Sequence, residues 1–242
     1  MASGANEAGG AQSWPKRREE ARWRIVRWLF ELLYRNRTLY WLASTIPFAG
    51  QWRVWQRLAL SRLTGPDVLE VGCGIGALMG DMLERGYHAR AIDRSPQMVA
   101  ATRRELRRRG LRVAPDIVRQ ASVQALPFAE ASFDTVVSTF PTDYIADPAA
   151  LREIVRVLRP GGRLVIVLGA SLLPARAILR PLVALQRLVY GPSAQATISC
   201  AGSVARPLLA RLRDAGMAPQ AECVSGPFWV AYVVMATKAA NV

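Results

Sequence analysis

The segment Asp67-Val68-Leu69-Glu70-Val71-Gly72-Cys73-Gly74-Ile75-Gly76 leads a short apolar stretch into three glycines at alternate positions. Glycines in such a turn adopt positive φ and let the backbone come close to a ligand, and the helix that follows offers unpaired N–H donors. A glycine-rich turn alone is weak evidence. This one also departs from the dinucleotide pattern G-x-G-x-x-G, because Ala77 and Leu78 stand where that pattern would continue. A second element adds specificity: Ala91-Ile92-Asp93-Arg94-Ser95-Pro96-Gln97-Met98 ends another apolar run in a carboxylate. At roughly 20 residues beyond the turn, an acid on the neighbouring strand can accept both hydroxyls of a ribose. The ordinary alternative for Asp93 is a helix N-cap, but Ser95 fills that role ahead of Pro96.

Both elements need a frame. From about residue 65 onward short apolar runs alternate with helical ones, the pattern of a mainly parallel sheet covered on both faces. The spacing predicts strands at Val68–Val71, Ala89–Ile92, Ile117–Arg119, Thr135–Ser138 and Arg163–Leu168. Helices are expected at Ala77–Arg85, Pro96–Arg109, Pro148–Leu158 and Val204–Ala215. Residues 221–237 read as two β-rich runs around Gly226-Pro227, a closing antiparallel pair. Ahead of the sheet, Thr64-Gly65-Pro66 ends a helical region dense in Trp and Arg. The expected organisation is a polar tail over residues 1–14, a helical cap over 15–64, and an α/β domain over 65–242 with a helical insertion at about 171–203.

Three further stretches follow in order: Gln124-Ala125-Leu126-Pro127-Phe128, Ser132-Phe133-Asp134-Thr135-Val136-Val137-Ser138 and Val157-Leu158-Arg159-Pro160-Gly161-Gly162-Arg163-Leu164. Together with the first two elements they closely resemble the class I S-adenosylmethionine-dependent methyltransferase family, over about residues 67 to 168. The resemblance implies a Rossmann-like, doubly wound, mainly parallel seven-stranded sheet with an N-terminal helical extension, and a cytoplasmic enzyme that uses S-adenosyl-L-methionine. It implies that Gly72, Gly74 and Gly76 approach the methionine and ribose part of that cofactor, that Glu70 supports the turn and that Asp93 holds the ribose. Arg94 and Met98 flank the adenine on this reading, and Cys73, Ser122 and Val123 complete the contacts. One departure stands out: many relatives carry an acid for the adenine amino group where this chain has Ala121-Ser122-Val123-Gln124. A neutral hydroxyl at Ser122 is a poorer acceptor than a carboxylate, so weaker cofactor binding is expected. Small-molecule and quinone C-methyltransferases share the Leu-Pro-Phe and Arg-Pro-Gly-Gly pattern. The resemblance therefore favours a small or lipophilic acceptor over a nucleic acid recruited by a basic surface.

Methyl transfer from a sulfonium is an in-line displacement whose main demand is alignment, and a base is needed only if the nucleophile must lose a proton. The run Ser138-Thr139-Phe140-Pro141-Thr142-Asp143-Tyr144 follows the fourth strand, at the end of a parallel sheet where ligands gather. Asp143 and Tyr144 are the acid/base candidates there, each with an ordinary alternative as a turn residue or a packed aromatic. His88 lies at the opposite end of its strand and reads as a surface residue. Cys73, Cys200 and Cys223 are an odd number without metal-like spacing, which argues against a disulfide framework or a metal site.

The formal net charge is +14, almost wholly from arginine, since Lys16 and Lys238 are the only lysines. A basic surface attracts nucleic acid or anionic lipid, yet an arginine- and alanine-rich composition also arises from coding bias with no partner. Residues 171–191 are apolar but for a stripe of Arg176, Arg180 and Arg187. With the Trp-rich N-terminal helix they form either a lid that excludes water or an apolar mouth for a lipophilic acceptor with peripheral membrane contact. No obligate protein partner is evident.

Overall fold

The computed structural model describes residues 48, 50–173, 181, 184 and 205–240. The expected tail, the first part of the helical cap and most of the insertion at 171–203 lie outside the described residues.

Seven strands form one sheet: β1 (Asp67–Val71), β2 (His88–Asp93), β3 (Val118–Gln120), β4 (Phe133–Thr139), β5 (Leu158–Leu172), β6 (Met217–Ser225) and β7 (Trp229–Lys238), in the order β3-β2-β1-β4-β5-β7-β6. The first five pair parallel with their neighbours; β7 is antiparallel to both β5 and β6. Five α-helices are described: α1 (Trp52–Arg57), α2 (Ala77–Glu84), α3 (Pro96–Arg108), α4 (Pro148–Val157) and α5 (Ala205–Asp214).

Alternation along the strands decides which helix covers which face. Leu69, Val136, Leu164, Ile166 and Val234 pack with Leu151 and Ile154 of α4 and Leu208 and Leu212 of α5. Their neighbours in sequence, Val68, Val137, Val165, Val167 and Val233, pack on the other face with Leu78, Met79 and Met82 of α2 and Val99 and Leu106 of α3. Burial on both faces is why the central strands read as continuous apolar runs rather than alternating ones.

Expected and observed elements differ mainly at ends. Helix α4 stops at Val157, where Leu158 is already extended. β5 runs on to Leu172, four residues past the expected Leu168, because Gly169 to Leu172 pair with Tyr232 to Trp229. Ser171 and Leu172 thus belong to the sheet and not to an insertion. The register shifts between Val167 and Gly169, a bulge that re-aims the end of β5. Cys223 is disulfide-bonded, which corrects the expectation of no disulfide: an odd count excludes only complete pairing. Among the described residues Cys73 is free and buried, and no helix is long and apolar enough to cross a membrane.

Candidate active site

The glycine turn lies at the carboxyl end of β1, against the same end of β2: the amides of Gly72 and Cys73 both donate to Ile92 O, at 2.9 and 3.2 Å. All three of its glycines have positive φ. At Gly72 a Cβ would come 2.8 Å from the Tyr144 hydroxyl, and at Gly76 it would come 2.6 Å from Cγ2 of Thr102. A side chain at either place is excluded by backbone conformation and by contact alike.

Asp93 is the link between strand end and turn. Its Oδ2 accepts from the amide of Gly74 at 3.0 Å, and its Oδ1 accepts from the amide of Ser95 at 2.9 Å. Desolvation raises its pKa above the usual aspartate value, against the two amides and the charge of Arg94. Ser95 caps α3, accepting from the amide of Met98 at 3.4 Å, with Pro96 in the first turn. Met98 is buried beneath that cap, and Arg94 is exposed. Beyond β3, Ala121 donates to Asp93 O at 3.2 Å, which brings Ser122 and Val123 to the same corner. The Ser122 hydroxyl donates to Gln124 Oε1, so its lone pairs stay free to accept.

Glu70 is buried, and its Oε2 has no hydrogen-bond partner. Burial pushes its pKa well above the carboxylate range, the charges of Asp93 and Asp81 push it further, and the backbone of Met79 in α2 opposes them. Such a carboxyl is costly unless something supplies a donor. Cys73, also buried, meets Thr102 Oγ1 at 3.4 Å, and its thiol pKa is pushed well up by desolvation, which makes it filler and not a nucleophile.

Across the turn, Tyr144 stands on a 3₁₀ turn at Asp143–Ala146. Its hydroxyl lies 2.8 Å from Ser138 Oγ and donates to Val71 O at 3.3 Å, while the buried Ser138 hydroxyl reaches the same carbonyl at 3.0 Å. Tyr144 is thereby brought to the turn, whereas the side chain of Asp143 lies outside the described residues. His88 opens β2 at the far end of the sheet, with Nδ1 3.2 Å from Asp67 Oδ1, well away from the turn.

Two parts of the site were not singled out from the sequence. Thr102, on the buried face of α3, donates to Gly74 O at 2.8 Å and so fastens helix to turn. The second part is an aromatic corner at the ends of β4, β5 and β7, where Phe48, Trp55, Leu172 and Trp229 are buried together and Trp52 and Phe140 pack on them. A hydroxyl on an apolar helix face is a readable signal for Thr102; the corner assembles residues too far apart in sequence for any local pattern.

Residues 69–166 match the model of the methyltransferase domain family. This segment is a class I methyltransferase domain. The demethylmenaquinone methyltransferase of Mycobacterium marinum is 37% identical over 131 residues, 52% of this chain and 53% of that protein. The chain thus spans about half the length of the curated relatives it matches. Among solved structures, geranyl diphosphate C-methyltransferase from Streptomyces coelicolor A3(2) shares the fold with a TM-score of 0.53 at 16% identity, covering 77% of this chain and 79% of that one. A [4+2]-cyclase shares it with a TM-score of 0.54 at 19% identity, covering 78% and 82%.

Proposed function

We propose that this chain transfers a methyl group from S-adenosylmethionine to a small or lipophilic acceptor. The observation that carries the reading is the Asp93 carboxylate, fastened across the glycine turn to Gly74 and Ser95 at the carboxyl end of β2. Glu70 Oε2, buried and unpartnered beside it, fits a site whose occupant brings a hydrogen-bond donor or a positive charge.

When bound, the cofactor supplies a methyl group on a positively charged sulfur. Transfer would form the acceptor–methyl bond as the sulfur–methyl bond breaks, leaving the electron pair on sulfur and releasing any proton on the nucleophile to solvent or to a base. Asp93 orients the ribose, Gly72, Gly74 and Gly76 admit the ligand to the backbone, and Ser122 with Val123, Arg94 and Met98 flank the base. Tyr144 marks the methyl end, because its hydroxyl overhangs Gly72. In this reading α1 caps the acceptor side, and a small or lipophilic acceptor agrees with the demethylmenaquinone methyltransferases among the relatives.

Calorimetry tests it. Wild type should bind S-adenosylmethionine and not NAD, and Asp93→Ala should weaken that binding at least a hundredfold with the melting temperature preserved; undiminished binding by the variant sinks the reading. A second reading, binding without methyl transfer, is favoured by the [4+2]-cyclase of the same fold, since fold alone does not dictate chemistry. Labelled methyl appearing in no lipid or small-molecule fraction would support it.

A further inference from the structure

Helix α3 divides cleanly into an inner and an outer side. Met98, Val99, Ala101, Thr102, Glu105 and Leu106 are buried. Ala100, Arg103, Arg104, Arg107 and Arg108 are exposed, at the three- and four-residue steps that place them on one side of a helix. Arg112, four residues beyond the helix, is exposed as well. From Arg103 to Arg112 the chain has six arginines and one acid, Glu105. That acid is turned inward, where Arg108 and Arg109 bind it at 2.7 and 3.0 Å.

Arginines elsewhere are committed to carboxylates: Arg62 to Glu222, Arg156 to Glu153, Arg159 to Asp67 and Asp134. On the outer side of α3 they are not. Arg104 and Arg107 have neither a hydrogen bond nor an ion pair among the described residues. Arg103 donates to the carbonyls of Pro115 and Val118 at 3.1 and 2.8 Å, which fixes its side chain and leaves its charge uncompensated. Like charges three and four residues apart repel along a helix, a cost that an anionic partner removes.

The kind of anion is set by what else this layer exposes. Asp81 of α2 binds Arg53 and Arg57 of α1 and also Arg109 at the end of α3, so the three helices lie on one side of the sheet. On that side α1 exposes Val54, at 42% one of two large apolar side chains so exposed among the described residues. Between Arg103 and Arg112 there is no aromatic ring to stack on a base and no amide to read a base edge. A nucleic acid would use the charge alone, whereas a bilayer with anionic headgroups takes both the charge and the apolar side chain.

We infer that the arginine face of α3 docks this protein on a membrane surface rich in anionic phospholipid, without spanning it. Lipid phosphates take the forked guanidinium groups, and contact of this kind weakens as salt rises. The face lies apart from the glycine turn: α3 is fixed to Asp93 through Ser95, and the arginines begin two turns further on. Docking needs no cofactor.

Co-sedimentation of the full chain with vesicles tests it. Vesicles of phosphatidylglycerol and phosphatidylcholine in equal amounts should bind wild type, vesicles of phosphatidylcholine alone should not, and sodium chloride should release the protein. At about fivefold per arginine, Arg104→Gln with Arg107→Gln should weaken binding about 25-fold. Neither side chain touches another group, so the fold is kept. Arg152→Gln with Arg213→Gln removes the same charge from exposed positions on α4 and α5, across the sheet, and should change binding less than about twofold. Equal weakening by the two pairs overturns the inference, as does a lack of binding to the phosphatidylglycerol vesicles. A short DNA duplex that strips wild type from those vesicles at equal phosphate also overturns it and assigns the face to nucleic acid. Should wild type fail to bind S-adenosylmethionine by calorimetry, the proposed function falls and the docking face stands.

Discussion

The glycine turn and the aromatic corner sit at the same end of one sheet, yet they are built in opposite ways. The turn draws on a nearly contiguous stretch, residues 67–98, in which strand, glycines, carboxylate and cap follow in order, and backbone amides do most of the fastening. The corner draws on α1, the residue after β4, the end of β5 and the start of β7, and it is fastened by ring contacts. A site made of backbone has little freedom to change its ligand. A site made of side chains from four separate elements can be retuned one residue at a time, which is where acceptor choice within one fold is expected to vary.

The strongest way to break this contrast is to place a side chain in the turn. Gly72→Ala should cost about 2 to 3 kcal/mol of stability and lower cofactor affinity, because its Cβ meets the Tyr144 hydroxyl at positive φ. Adding Tyr144→Phe removes the contact but not the conformation, so urea unfolding of the double variant should recover part of the loss and no more. Full recovery would mean that contact, and not backbone, governs the turn.

A somewhat smaller effect concerns what joins the two regions. Buried Asp81 of α2 accepts from Arg53 and Arg57 of α1 and from Arg109, at 2.8, 2.7 and 2.9 Å. Arg109→Ala should destabilise by about 2 kcal/mol, since one buried charge loses a buried partner. Arg53→Ala should cost under about 1 kcal/mol, as its side chain is 35% exposed. Both variants should keep S-adenosylmethionine binding, read by calorimetry. Lost binding would show that the turn depends on this clamp.

The smallest effect is in acid. Burial alone would raise the Asp81 pKa, but hydrogen bonds from Arg57 and Arg109 outweigh it and hold the group at about 2. Arg108, then Arg109, hold Glu105 at about 2 as well. Both values lie below the ordinary carboxylate range, so the stability these groups add is present above that range and lost as pH falls through it towards about 2. Thermal melts should therefore decline over that window, and Asp81→Asn should flatten the decline.

The order of strands and helices around the glycine turn was legible because each step is local: glycines where positive φ is needed, Ser95 ahead of Pro96, apolar runs of strand length. Strand ends were less so. β5 continues to Leu172 because β7 offers it partners, and nothing in residues 169–172 announces that. The disulfide at Cys223 was missed for a similar reason, as counting thiols says nothing about which approach each other.

What the residues by themselves determined is the parallel sheet, the turn and the position of Asp93, since short-range backbone preferences and apolar periodicity suffice for all three. Only the tertiary structure decided that Phe140 meets Trp52, that Glu70 is left with an unpartnered oxygen, and that Gln56 and Trp55 are buried unsatisfied. Burial and partnership are properties of surfaces brought together from distant parts of the chain. They come into being when the sheet closes on its helices and have no signature in any single segment.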